Sequence, residues 1–317
     1  MNILVTGGAG YIGSLLCHEL ANANIPSTPI RVHKHYVTSI DNLVYNQWHL
    51  TSNALNKCNF IKDDARDLNP DFIKSFDVII PLAAIVGAPA CDKEPEEATS
   101  INLGHIEHIC KHARDETLII LPNTNSGYGR VLDGICTEET PLNSISHYGK
   151  LKDLGEQEVM KRKNSIAFRL ATVFGISYRS RLDLLVNTLT HDAVKQKKIS
   201  LFDGDFHRNY IHVMDVVRAF EFAIENKDEM IGNVYNVGND DINMTKMELA
   251  KEVQRVCPCD LEVIKMTDPD QRDYVVSSKK MYDTGFKPLI TLEQGIIEVK
   301  EYIEHLDPTQ EKYMRNI

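Results

Sequence analysis

The stretch Ile3-Leu4-Val5-Thr6-Gly7-Gly8-Ala9-Gly10-Tyr11-Ile12-Gly13 constrains this chain more than any other. A β-prone apolar run meets a glycine cluster, and a helical pattern starts at Tyr11. The glycines fit both Gly8-x-Gly10-x-x-Gly13 and Gly7-x-x-Gly10-x-x-Gly13. An early glycine lets the chain turn sharply out of the strand. Gly10 lets the backbone approach a pyrophosphate, and Gly13 lets the helix pack close to the strand. The helix N-terminus, with Tyr11 and Ile12 in its first turn, offers free N–H groups and a positive dipole end to phosphates. Set between a strand and a helix, the pattern predicts a dinucleotide site.

Strands and helices then alternate, which predicts an α/β fold built on a doubly wound parallel sheet. After a polar stretch near Pro26–His35, Tyr36–Asp41 reads as the second strand. Asp41 at its tip can accept both ribose hydroxyls of adenosine and repel a 2′-phosphate, which favours NAD over NADP; Asn42 follows it. Asn59–Lys62 is a third strand, followed by Asp64 and Ala65. Asp64 suits either the adenine amino group or a helix cap. The buried strand Phe76–Ala84 ends in Leu82-Ala83-Ala84, whose small residues let a flat cofactor lie against the backbone. Glu96–Arg114 is helical. His105 and His108 on it read as a packed or exposed pair, since no third metal ligand has the right spacing.

The strand Thr117–Pro122 ends in the polar cluster Asn123–Gly129, at the carboxyl edge where open α/β sheets bind ligands. A helix covers Ser146–Lys161, and Ser165–Phe174 is a further strand. Beyond Gly175 the alternation fades. A helix over 213–226, a strand over 233–238, a helix over 246–256, a strand over 261–265 and a closing helix over 292–304 follow. The expected division is a Rossmann domain over 1–176 with a return segment 207–238, and a smaller substrate lobe from 177–206 and 239–317.

Of 317 residues, 43% are hydrophobic and 25% charged, the balance of a soluble globular protein. The net charge of −10 argues against nucleic acid and anionic membranes as partners. Phosphate-bearing ligands must therefore be held by local arginines and helix ends. No apolar run approaches the ~18 residues of a membrane span, and the first strand leaves no room for a leader. Seven cysteines at 17, 58, 91, 110, 136, 257 and 259 fit no disulfide framework. Reduced thiols and a cytoplasmic location are expected.

Tyr148 and Lys152 lie four apart on one helix, so both project from one face. A phenol is a poor base at neutral pH. A neighbouring ammonium, together with the positive ring of oxidised NAD, is expected to favour the phenolate. The phenolate then takes a proton from a sugar hydroxyl, and the lysine also positions the cofactor ribose. Thr124, ending the preceding strand, offers a hydroxyl to the same substrate oxygen.

These pieces resemble the extended short-chain dehydrogenase/reductase family, the nucleotide-sugar epimerases and dehydratases. The matching residues are Thr6–Gly13, Asp41-Asn42-Leu43, Asp64, Leu82-Ala83-Ala84, Asn102, Thr124…Tyr128-Gly129, Tyr148…Lys152, Arg208–Val213 and Tyr235–Gly238, in family order over nearly the whole chain. The resemblance implies catalysis by Thr124, Tyr148 and Lys152, NAD contacts from Asn102 and Asp64, a diphosphate clamp at Arg208, and a second clamp at Arg272. Arg179, Arg181 and Asn187 join the candidate substrate residues. Where the family's 4,6-dehydratases carry Asp-Glu after the threonine, Asn125-Ser126 stand here, which argues against dehydration. Thr172 replaces a substrate-contacting Asn of 4-epimerases, so the sugar differs from UDP-galactose. Ala83–Pro89, Thr124–Gly129 and Asp183–Asn187 are similar to a subgroup of surface-polysaccharide pathways that includes GDP-heptose 4-dehydrogenases.

The expectation is hydride abstraction at C4 of a GDP- or UDP-linked sugar, by a 4-epimerase or 4-dehydrogenase, in a homodimer with no metal. The rivals are a catalytically silent NAD-sensing protein and a UDP-sugar decarboxylase-type relative.

Overall fold

A computed structural model describes residues 1–22, 35–52, 54–202, 204–264 and 272–316. Most of the polar stretch expected near 26–35, and residue 265 of the expected late strand, lie outside them.

The main sheet contains β1 (Asn2–Thr6), β2 (Tyr36–Asp41), β3 (Asn59–Lys62), β4 (Val78–Pro81), β5 (Leu118–Thr124), β7 (Ser165–Leu170) and β11 (Asn233–Val237). Their order is β11-β7-β5-β4-β1-β2-β3, and every pairing is parallel. Residues along a strand point alternately to opposite faces. Ile3, Val5, Val37, Ile80, Ile120, Ile166 and Phe168 accordingly fill one apolar layer. Leu4, Ile40, Ile79, Ile119, Leu121 and Ala167 fill the other. Burial on both faces is why the central strands β1, β4, β5 and β7 carry continuous apolar runs. The strand order reverses between β1 and β4, so the crevice of a doubly wound sheet opens beyond their carboxyl ends.

The expected strand over 165–174 is two. After Leu170 the Ala171 N–H donates to Val237 O at 2.9 Å, and the chain leaves the main sheet. β8 (Thr172–Phe174) joins β10 (His207–His212) and β12 (Asn239–Thr245) in a second sheet of order β12-β10-β8. β9 (Lys198–Phe202) pairs with β13 (Asp260–Ile264), and β6 (Arg130–Cys136) with β14 (Asp273–Val276). A separate core of Phe174, Val186, Leu189, Leu201, Tyr210, Leu249 and Ile296 sits under this part. Met281 and Phe286, late in the chain, pack instead into the core of the main sheet.

The helical run expected from 96 is an α-turn (Pro95–Thr99), a π-turn (Ser100–Gly104) and an α-helix (His105–His112). Helix Tyr11–Asn22 follows β1, and helix His147–Val159 packs on β5. Among the described residues no helix is long and apolar enough to cross a membrane.

Candidate active site

At the glycine turn, Gly7 adopts φ +70°, and the Gly7 and Gly8 N–H groups donate to Ile40 O at 2.7 and 3.2 Å. A Cβ on Gly7 would stand 2.7 Å from the Ala83 nitrogen, and one on Gly13 2.3 Å from the Gly7 carbonyl oxygen. Strand end, first helix and the Leu82–Ala83 backbone therefore meet only because these side chains are missing. Asp41 ties this turn to β2: Oδ2 accepts the Ala9 N–H at 3.0 Å and Oδ1 the Leu43 N–H at 2.8 Å. Burial pushes its carboxyl up, while those two hydrogen bonds and the charge of Arg179 pull it back. A bare backbone cradle, a helix N-terminus and a carboxylate at the β2 tip are the donor set a dinucleotide requires, so the residues present fit NAD.

The neighbours are more committed to the protein itself. The Tyr11 hydroxyl donates to Gly175 O at 2.9 Å, and Ile12 packs partly buried against the core. Asn42 is exposed and accepts the Val44 N–H at 3.2 Å. Asp64 grips Arg66 at 2.6 Å, which holds its carboxyl below the usual range; Ala65 beside it is buried. Leu82 N–H donates to Thr6 O at 3.0 Å; Ala84 follows, half-buried. Asn102 lies in the π-turn, a feature frequent at functional sites. Its Oδ1 accepts the Ile85 N–H at 2.8 Å and its Nδ2 donates to Ile85 O at 2.9 Å, so it clamps the loop after β4.

Thr124 is the last residue of β5, and its Oγ1 accepts the Ser126 N–H at 3.2 Å. Ser146 caps the next helix, accepting the Gly149 N–H at 3.1 Å, and this fixes the helical phase that turns Tyr148 and Lys152 inward. Tyr148 packs with Leu151, Cys91 and Ile85; Lys152 is 7% exposed. Burial pushes the Tyr148 phenol up to about 12, against the nearby charges of Arg181 and Arg272. Burial also pushes the Lys152 ammonium down to about 8. In the cofactor-free protein burial of the phenol outweighs the two arginine charges, whereas the sequence expectation concerns the phenol beside the positive ring of bound NAD.

Three positioning residues were missed. Glu156, one turn beyond Lys152, pairs with Arg169 of β7 at 2.6 Å with both side chains buried. Its Oε2 accepts from Asn123 Nδ2 at 2.6 Å, and Asn123 Oδ1 accepts the Thr124 N–H at 2.7 Å. This chain of bonds locks the helix of Tyr148 to the strand end of Thr124. The available signal was an arginine inside the otherwise apolar run Ser165–Leu170.

On the substrate side, Asn125 and Ser126 are only 1% and 2% exposed, and their polar side-chain atoms lack partners among the described residues. Thr172 opens β8, half-buried. Arg208 is 3% exposed. Its Nη1 donates to His207 O at 2.8 Å and also to the Arg272 carbonyl, so the two expected clamps adjoin. Arg181 pairs with Asp183. Asn187 spends its amide on Gly175 N and O and on Arg181 O, at 3.0, 3.1 and 2.9 Å, so its side chain shapes the loop. The Arg179 guanidinium lies 4.3 Å over the Tyr45 ring, and its charge acts on Asp41.

A Rossmann-type sheet with a glycine cradle at its switch point, and a Tyr/Lys pair on the helix beside the next strand end, defines a dinucleotide-binding class of enzyme fold. The NAD dependent epimerase/dehydratase family matches residues 3–238, and the chain belongs to that family, with NAD as cofactor. It is 29% identical to a Bacillus subtilis protein described as an uncharacterized UDP-glucose epimerase, YtcB, over 75% of this chain and 77% of that one. It is 25% identical to a dTDP-glucose 4,6-dehydratase of Streptomyces niveus, over 95% and 92%. In fold it is similar to a UDP-glucose 4-epimerase of Thermotoga maritima solved with UDP-glucose, at TM-score 0.81 and 22% identity, covering 96% of this chain and 99% of that one.

Proposed function

We propose that this enzyme oxidises the C4 carbinol of a nucleotide-activated hexose or heptose, as a 4-epimerase or a 4-dehydrogenase, for surface-polysaccharide sugars. The observation that carries this reading is the helix face of half-buried Tyr148 and buried Lys152, packed on the strand that ends in Thr124. When bound, NAD supplies the acceptor for the hydride leaving C4 and a positive charge beside the phenol. Tyr148 takes the C4 hydroxyl proton, and Thr124 Oγ holds the same oxygen. Lys152 orients the cofactor ribose. Arg181 and Arg272 lower the cost of the phenolate. Asn125 and Ser126 orient a sugar hydroxyl but, being neutral, cannot protonate a leaving one; this disfavours dehydration. Arg208, beside Arg272, suits bidentate grip of a diphosphate.

Proteins similar in sequence or fold are named for UDP-, dTDP- and ADP-linked sugars, which supports a nucleotide sugar. We assign the base to UDP or GDP. Residues 1–176 with 207–238 bind the cofactor, 177–206 and 239–317 bind the sugar nucleotide, and the helical faces near 96–114 and 147–163 pair two copies. The test is a panel of UDP-, GDP-, ADP-, CDP- and dTDP-sugars, read by NADH absorbance, deuterium uptake from solvent and product mass. An oxidised or C4-inverted product without loss of water supports the reading. Loss of water or of carbon dioxide, or full turnover by Tyr148→Phe, refutes it.

A further inference from the structure

We propose that Arg179 serves the cofactor and not the sugar nucleotide: its guanidinium is the counter-charge for the phosphates of the dinucleotide's adenosine half. The inference rests on the dinucleotide reading of the first turn. Gly175–Arg181 is laid against that turn by three contacts. Tyr11 donates its hydroxyl to Gly175 O at 2.9 Å, Ser177 Oγ donates to Tyr11 O at 2.6 Å, and Ser177 Oγ meets Ser14 Oγ at 3.1 Å. The Arg179 N–H donates to the same Ser177 Oγ at 3.2 Å, which fixes its backbone beside the Tyr11 helix. The guanidinium then stacks 4.3 Å over Tyr45, four residues past the Asp41 that holds the Ala9 N–H.

This arginine is 5% exposed, yet among the described residues no carboxylate lies within ion-pair distance of it. Among the described residues its Nε has no partner, and Nη2 reaches Arg315 O at 3.5 Å. Asp183 is taken by Arg181, and both oxygens of Asp41 are taken by backbone N–H groups. A buried cation left without an anion is costly. An arriving phosphate beside the glycine turn removes that cost, and a planar fork suits it. The charge of Arg179 is felt at Asp41, which places it at the adenosine end of the crevice.

Calorimetric titration of the full chain with NAD, ADP, adenosine, UDP and GDP tests this, using wild type, Arg179→Met and Arg179→Lys. Arg179→Met is expected to weaken NAD and ADP roughly tenfold or more. Adenosine, UDP and GDP should change less than about twofold, the apo melting temperature should hold or rise, and Arg179→Lys should recover part of the loss. Unchanged NAD and ADP affinity overturns the inference. So does a loss that falls on UDP or GDP, an equal loss for uncharged adenosine, or a lowered apo melting temperature. A wild type that binds neither NAD nor ADP instead sinks the dinucleotide reading itself.

Discussion

Lys152→Met separates what the lysine does for chemistry from what it costs the fold. The ammonium is 7% exposed, and burial brings it from an ordinary 10.5 down to about 8. At ~1.4 kcal/mol per pH unit, holding it charged in the folded state costs roughly 3 kcal/mol at neutral pH. Methionine fills much the same space without charge. The cofactor-free variant is therefore expected to be more stable than wild type by about 3 kcal/mol, a rise of about 4 °C in melting temperature for a chain this size, while turnover is lost.

The pH dependence fixes the cause. Below about 8 the ammonium is present in both folded and unfolded chains, so the full penalty applies. Between about 8 and 10.5 the folded chain gives up its proton first. The unfolded chain then binds more protons, and wild-type stability gains with pH. Above 10.5 the amine is neutral in both states and the penalty is gone. Urea melts of both proteins at several pH values between 6.5 and about 10.5 should show a gap that is widest below pH ~8 and closes above it. A variant less stable than wild type at pH ~7, or a gap indifferent to pH, would refute the reasoning. Either result would mean that an anion compensates the lysine in the folded state.

Glu156→Gln strands the Arg169 charge among buried groups, and the expected loss is about 3–5 kcal/mol in urea melts. Restoring neutrality with Glu156→Gln/Arg169→Met should recover much of it, and lost turnover should return less fully because Asn123 no longer fixes the Thr124 backbone. Asp41→Asn removes a carboxylate that accepts two backbone N–H groups. NAD affinity should fall roughly tenfold and the preference over NADP should narrow, as read by titration with each cofactor. The kcat/KM profile should carry a limb near 8 from Lys152, falling on the alkaline side, since loss of the ammonium removes a cofactor anchor. Arginine at 152 should move that limb out of the measurable range.

The parallel sheet was legible because its central strands are buried on both faces and so spell out apolar runs. The expected ends of the second and third strands, 36–41 and 59–62, match β2 and β3. The helix over 246–256 matches as well, opened by a Thr245/Glu248 capping box written into the sequence. Strands β10 and β12, His-Arg-Asn-Tyr-Ile-His and Asn-Asp-Asp-Ile-Asn-Met-Thr, carry no such pattern. Long-range bonds hold them, such as Asn209 Nδ2 to Asn239 O at 2.9 Å, and no local reading finds those. The spacing that sets Tyr148 and Lys152 on one helix face was legible, but the protonation of those groups was not. Whether an ammonium lowers a phenol depends on how much water the site retains, and that is a property of the packed structure.

The same reasoning explains why an acidic chain gathers cations inward. The net charge is −10, yet Lys152, Arg179, Arg181 and Arg208 are each at most 8% exposed. Spread over the surface, those charges would be screened and would attract any polyanion. Buried around one crevice, they act at low dielectric on whatever enters it. The cost falls on the empty protein, which keeps charges folded away from water. Ligands that bring phosphates reverse that cost, so binding and folding are coupled, and saturating ligand should raise stability by the RT ln(1 + [L]/Kd) of any native-state ligand. Stability gained from an NDP-sugar on top of saturating NAD would then report the sugar-nucleotide arginines alone, and stability gained from NAD alone would report the first turn, Asp41 and Arg179.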